Sequence, residues 1–256
     1  MESVFGYVKT AGDKQHPALV FLHGGGLSSR EWEPQFETLS GAFYCLAPDL
    51  PEQGMSTSIK PFTLEDSARR VLALFADLPG KRANVIGLSL GGSVALEIAR
   101  TAPDMVDHLI VSGTSAGLSG WLGKLTIASA GMYRFFSQKQ LLSMAYKQFN
   151  IPERYREGLR EDLIKGFDVD FTRHFTEAMM HLKLPEQAKA LVLVGEKETV
   201  VAKGDARRLA TRIKGAQGRI VPGVGHVWNL EAPDLFSDTM RAFVTYAPLP
   251  PTLRPL

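Results

Sequence analysis

Ser89 stands in Gly87-Leu88-Ser89-Leu90-Gly91, the G-x-S-x-G spacing that seats a serine on a sharp turn between a strand and a helix. A serine so placed can attack a carbonyl carbon once a base takes its proton. The pattern alone is weak, arising by chance in roughly one chain in seven of this composition. A second match, Gly113-Thr114-Ser115-Ala116-Gly117, makes the point. Context separates the two. Ser89 follows an apolar run at 83–86 and precedes Gly91, Gly92 and a helical pattern, with glycines where backbone must turn and approach closely. Ser115 is followed by Gly117-Leu118-Ser119-Gly120, which delays any helix, so it reads as the start of an insertion. The competing reading of Ser89 is a serine that merely caps a helix.

The base is sought among six histidines. His16 lies in a loop, His108 begins a strand, and His174 and His181 fall on expected helices. His226 is in Pro222-Gly223-Val224-Gly225-His226, beyond the last long strand and before the final helix, where a glycine-rich loop can swing an imidazole over the sheet edge. A base of this kind needs a buried carboxylate on its other ring nitrogen. Glu196, Glu198 and Asp205 follow the run at 190–194 and are the candidates, whereas 112–116 holds no acid. Asp205 is expected where the next helix begins, a position that favours an acid for its own reasons. His23-Gly24-Gly25-Gly26 follows the run at 18–22, and bare backbone N–H groups there, Gly25 among them, suit a developing oxyanion. A dinucleotide loop fits poorly because position 29 is Ser, and a Walker A loop fails at Leu118 and Leu125.

These residues need a scaffold. Short apolar runs at 18–23, 43–47, 83–86, 108–111, 190–194 and 219–221 alternate with helical patterns at 64–78, 90–101, 204–213 and 233–246. Most runs lack apolar/polar alternation, as in strands covered on both faces, so a mostly parallel α/β sheet is expected. An edge strand is expected at 4–9 and an irregular tail at 247–256. In such a sheet ligands bind at the carboxyl ends of the strands, where Gly25, Ser89, Glu198 and His226 all fall. Residues 116–185 break the rhythm, with helices expected at 121–136, 138–149, 152–166 and 171–182 and no convincing strand. One crossover needs one helix, so this interval reads as a cap, 116–185, on a core formed by 1–115 and 186–256.

Net charge of +2 with no basic stripe excludes a nucleic-acid partner of the usual kind. The stretch 109–133 carries only Lys124, but its Gly, Ser and Thr residues disfavour a membrane span, and no membrane partner is expected. The lone Cys45 and a start without a basic, then apolar, leader point to a cytoplasmic protein. No His/Cys/Asp cluster has metal-ligand spacing.

Taken together, Leu22-His23-Gly24-Gly25-Gly26, Ala47-Pro48-Asp49-Leu50, Val85-Ile86-Gly87-Leu88-Ser89-Leu90-Gly91-Gly92, Leu193-Val194-Gly195-Glu196 and Gly223-Val224-Gly225-His226 resemble the α/β-hydrolase superfamily over almost the whole chain. The resemblance implies an α/β-hydrolase fold with a sheet of about seven strands and a helical cap between strands six and seven. It makes Ser89 the nucleophile and His226 the general base, with the N–H groups of Gly25 and Leu90 as oxyanion hole. Its Gly-x-x-Asp pattern places the acid three residues after Gly195, at Glu198. Where many relatives read Asp-x-x-Gly-His-Gly-x-Ser, this chain has Asp49-Leu50-Pro51-Glu52-Gln53-Gly54-Met55-Ser56. The activity implied is cleavage of small carboxylic esters or lactones without metal or organic cofactor. Alternatives are a carbon–carbon hydrolase of the dienoate-cleaving kind and a hydrolase-fold receptor with little turnover. Among the insertion's apolar residues, Trp121, Phe135, Phe136, Met144 and Met179 are expected to line the pocket.

Overall fold

The computed structural model describes residues 4–256. The chain runs through β1 (Val8–Ala11), β2 (Ala18–Leu22), α1 (Glu33–Leu39), β3 (Tyr44–Pro48), α2 (Leu64–Leu74), β4 (Ala83–Leu88), α3 (Leu90–Thr101) and β5 (Val106–Ser112). Four helices follow, α4 (Gly120–Ala130), α5 (Gln138–Gln148), α6 (Glu153–Lys165) and α7 (Val169–Met180). The chain then returns to β6 (Gln187–Gly195), α8 (Val200–Arg212), β7 (Lys214–Val221), α9 (Trp228–Glu231), α10 (Pro233–Val244) and β8 (Arg254–Pro255), so that in the order of the described strands the insertion falls between the fifth and sixth, one earlier than the resemblance implies.

One sheet has the order β1-β3-β2-β4-β5-β6-β7-β8, with β1 and β8 antiparallel to their neighbours and every other pair parallel. The central strands are buried on both faces, which explains their unbroken apolar runs. Alternate residues feed two cores. Val20, Val85, Val192 and Val194 pack with α2, α3 and α8. Leu19, Phe21, Ile86, Leu191 and Leu193 pack with α1 and α10, around Trp32, Trp228 and Phe236.

The sheet has eight strands rather than about seven, because the tail adds β8, pairing Ile220 with Arg254 and Arg219 with Pro255. An edge strand tolerates proline, since one side of its ladder faces no partner. The edge strand β1 spans Val8–Ala11, later than the sequence pattern suggests. Helix α1 escapes the sequence reading because it is short and begins with Pro34 in its first turn. Helix α8 starts at Val200, four residues early, because the Thr199 hydroxyl accepts the Ala202 N–H at 3.1 Å. Asp205 therefore lies inside the helix, not at its start; its carboxylate accepts the Ser115 hydroxyl at 3.1 Å and faces Arg208.

Candidate active site

Chain direction across the sheet reverses between β2 and β4, and the carboxyl ends of those two strands flank the crevice that such a reversal opens. Ser89 directly follows β4 with φ +52° and ψ −113°, a strained turn for a residue with a Cβ. Three glycines make the turn sterically feasible. A Cβ on Gly91 would lie 2.0 Å from the Leu22 carbonyl oxygen, on Gly87 2.4 Å from the Gly91 oxygen, and on Gly92 1.8 Å from Thr114 Oγ1. Ser89 precedes α3, but its hydroxyl makes no capping bond, which removes the simple structural reason for a serine here. From β2, the Gly24 and Gly26 N–H groups are engaged, by Glu31 Oε2 at 2.9 Å and Gln53 Oε1 at 2.6 Å. Gly25 lies between them, and a Cβ there would be 3.6 Å from the Leu90 side chain. Leu90 supplies the first N–H of α3, which has no partner within the helix.

His226 follows β7. Its Nδ1 donates to Glu198 Oε2 at 2.7 Å, and the other carboxylate oxygen accepts the Gly195 N–H at 3.0 Å. Glu198 is almost fully buried, so the carboxylate is held dry and oriented. With Nδ1 donating, Nε2 is left as the basic nitrogen. Phe149 of the helical insertion stacks on the imidazole, with ring centroids 5.8 Å apart. Gly113, at φ +58°, makes room for the pair, since a Cβ there would stand 2.7 Å from the His226 ring. The other acids are occupied elsewhere. Glu196 faces solvent, pairs with Arg254 and accepts the Gly223 N–H at 2.8 Å. The Arg254 hydrogen bond holds its carboxyl below the usual range.

A polar layer supports the glycine loop from below. His23 Nδ1 donates to the Gly24 carbonyl and its Nε2 accepts the Leu50 N–H, both at 2.9 Å, and burial keeps the ring neutral by lowering its pKa. Gln53 and Glu31, neither singled out by the sequence, complete the layer. The signal for Gln53 lay in the departure at 49–56; for Glu31 there was none, because only the fold brings Asn229 to it.

Glu31 is fully buried, and loss of hydration pushes its carboxyl from the ordinary 4.5 up to about 8. Among the described residues Glu31 Oε1 and Asn229 Oδ1 have no hydrogen-bond partner, while the Asn229 amide donates to the Glu31 backbone carbonyl at 3.2 Å. Because the folded state binds this proton more tightly than the unfolded state, stability falls as pH rises from about 4.5 to about 8, then levels. Glu31→Gln keeps an acceptor for the Gly24 N–H and removes the buried group that would have to ionise. At about 1.4 kcal/mol per pKa unit, the variant should gain a few kcal/mol at the alkaline end and little at the acid end. Thermal melts of both proteins across this range check the slope.

Ser89, His226, Gly25, Leu90, Phe149, Phe171, Phe175 and Met179 line one cavity of about 290 Å³, and no Asp, Glu, Lys or Arg does so. Of the five insertion residues expected there, Met179 alone is found. Trp121, Phe135 and Met144 are exposed, and Phe136 is half-buried away from the cavity. The reason is helix orientation. Gly123 and Ala130 form the buried side of α4, leaving Trp121 outward, while Leu141, Leu142 and Ala145 take the inner side of α5 from Met144. Phe135 sits under the Arg134 guanidinium instead. No group of His, Cys, Asp and Glu able to hold a metal ion occurs among the described residues.

An open α/β sheet with a strained serine after β4, a carboxylate after β6 and a histidine after β7 defines the class of α/β hydrolases. A family model described as the alpha/beta hydrolase family matches residues 19–239, and this chain belongs to that family. It is 27% identical over 242 residues to an AB hydrolase superfamily protein of Gibberella zeae, covering 91% of this chain and 82% of the relative. It is 28% identical over 245 residues to a pimeloyl-[acyl-carrier protein] methyl ester esterase of Pectobacterium carotovorum, covering 88% and 93%. In three dimensions it resembles the enol-lactonase of Burkholderia xenovorans, with a TM-score of 0.76, 24% identity and 93% and 96% coverage, a likeness of fold.

Proposed function

We propose that this chain is a serine hydrolase of small carboxylic esters or lactones, with Ser89 as nucleophile, His226 as base and Glu198 as the acid behind it. The observation that carries the reading is one uncharged cavity bordered by both Ser89 and a His226 ring oriented by buried Glu198. Esterase and lactonase relatives support the same bond type. His226 Nε2 takes the Ser89 proton as Oγ attacks the carbonyl carbon. Charge developing on the carbonyl oxygen is met by the N–H groups of Gly25 and Leu90. The imidazolium, stabilised by Glu198, then protonates the leaving alkoxide. Water, activated by the same His226, cleaves the acyl-serine. The helices at 116–185 act as the cap that keeps bulk water from this cavity.

A fluorophosphonate should label Ser89 and leave Ser115 untouched, as read by peptide mass mapping. Ser115 already hydrogen-bonds Asp205, and among the described residues no hydrogen bond joins it to a histidine. Labelling of Ser115 instead would overturn the choice of nucleophile. Steady turnover should favour longer or aromatic acyl groups over acetate, given the Phe and Met walls. A single turnover without release would favour the receptor reading.

A further inference from the structure

Helix α4 and the turn after it present apolar side chains to solvent. Trp121 is 69% exposed, Leu125 61%, Met132 56% and Phe135 72%. Side chains of this size on one segment, left bare, are the mark of a surface meant to be covered. The sequence around them is charged in one sense only. From His108 to Pro152 it carries Lys124, Arg134, Lys139 and Lys147 and no Asp or Glu. None of these four cations takes part in an ion pair among the described residues. On the helix packed beside α4, Asp170 and Glu177 both pair with Arg173; Arg134 shares a groove with Asp168 and Asp170, and Lys139 and Lys147 share one with Glu153 and Glu157, which leaves Lys124 with no acid in its own groove.

We infer that this face adsorbs to an anionic lipid surface, a partner not expected from the sequence, whose Gly, Ser and Thr residues argue only against a span. Exposed Trp121, Leu125, Met132 and Phe135 beside Lys124 and Arg134 offer apolar side chains to the headgroup boundary and cations to lipid phosphates. The segment is too short and too polar to span, and no helix among the described residues is long and apolar enough to cross a membrane. A second copy is a poor occupant, because two-fold pairing would set the same unpaired cations against each other. The cavity gives the surface its use. Leu118, Thr126 and Tyr133 of the same segment line the uncharged cavity beside Ser89. Adsorption would therefore hold the site against the phase in which an apolar ester dissolves; this last step rests on the hydrolase reading, whereas adsorption does not.

The experiment is co-sedimentation of the Ser89→Ala protein with phosphatidylcholine vesicles made with and without phosphatidylglycerol. Using the Ser89→Ala protein separates binding from turnover, so failure of either reading is seen alone. The protein is expected to pellet with the anionic vesicles and to be released by salt. A Trp121→Ser/Leu125→Ser/Phe135→Ser variant, altered only at exposed positions, should lose at least tenfold in partitioning. Lys124→Glu/Arg134→Glu should lose a comparable amount on anionic vesicles. No pelleting with anionic vesicles overturns the inference, and so does equal pelleting with neutral ones. Self-association in sedimentation velocity that the triple serine variant abolishes would assign the face to a second copy and overturn it too.

Discussion

Ser89→Ala is expected to lower kcat for a nitrophenyl ester by about a million-fold, the scale seen when the nucleophile of a serine–histidine–acid set is removed. The hydroxyl makes no structural hydrogen bond as a cap, so its loss should leave the melting temperature close to that of the parent. Alanine also keeps the Cβ that the turn at φ +52° already accommodates. The signature is therefore an enzyme that is folded, still binds ester, and no longer forms an acyl intermediate in a single-turnover experiment. Activity within tenfold of the parent would mean that the chemistry lies elsewhere.

The second large effect concerns the acid. Glu198→Gln should reduce kcat by about ten-thousand-fold, because an amide cannot stabilise the imidazolium and can present its NH2 group to Nδ1, forcing the wrong tautomer. The Gly195 N–H can still be served by the amide oxygen, so the loop is retained. Two control substitutions make the test specific. Glu196→Gln removes an exposed pair with Arg254, and Asp205→Asn alters a contact to Ser115 and Arg208; both should leave kcat within a few-fold. The exposed pair in particular is of the kind worth little. A Glu198→Gln enzyme near parental activity would remove Glu198 from the proposed role.

Signals confined to a few adjacent residues were legible in the sequence. The Gly87 to Gly92 segment announces a strand, a tight turn and a helix because the steric demands are local. The same holds for the glycine loops around Gly25 and His226. Glu198 is separated from Glu196 and Asp205 by geometry that the sequence expresses only as spacing. In the structure Glu198 meets His226, Glu196 turns outward to Arg254, and Asp205 lies inside α8 because Thr199 caps that helix early. The strands β2, β4, β5 and β6 were legible because burial on both faces leaves unbroken apolar runs. Which side of each inserted helix faces inward was not legible. Apolar residues ring α4, so orientation is set by small residues that allow close approach, as where Gly123 meets Met180. Most of the polar layer under the glycine loop was equally silent, since Glu31 and Asn229 are brought together only by the completed fold; Gln53 alone was marked, by the departure at 49–56.

The ends of the helical insertion lie side by side. The Leu118 N–H donates to the Met179 carbonyl at 3.1 Å, and the strands the insertion leaves and rejoins are hydrogen-bonded neighbours, Ser112 opposite Leu193. A segment hung from adjacent points adds little closure entropy when its length changes, and exerts no leverage on the register of the strands that carry it. Its helices can therefore be lengthened, shortened or exchanged without shifting the strands that carry Ser89, Glu198 and His226. Mutational drift can then alter what enters the cavity while leaving untouched the groups that would break the bond. The architecture thus separates the evolution of selectivity from the upkeep of reactivity.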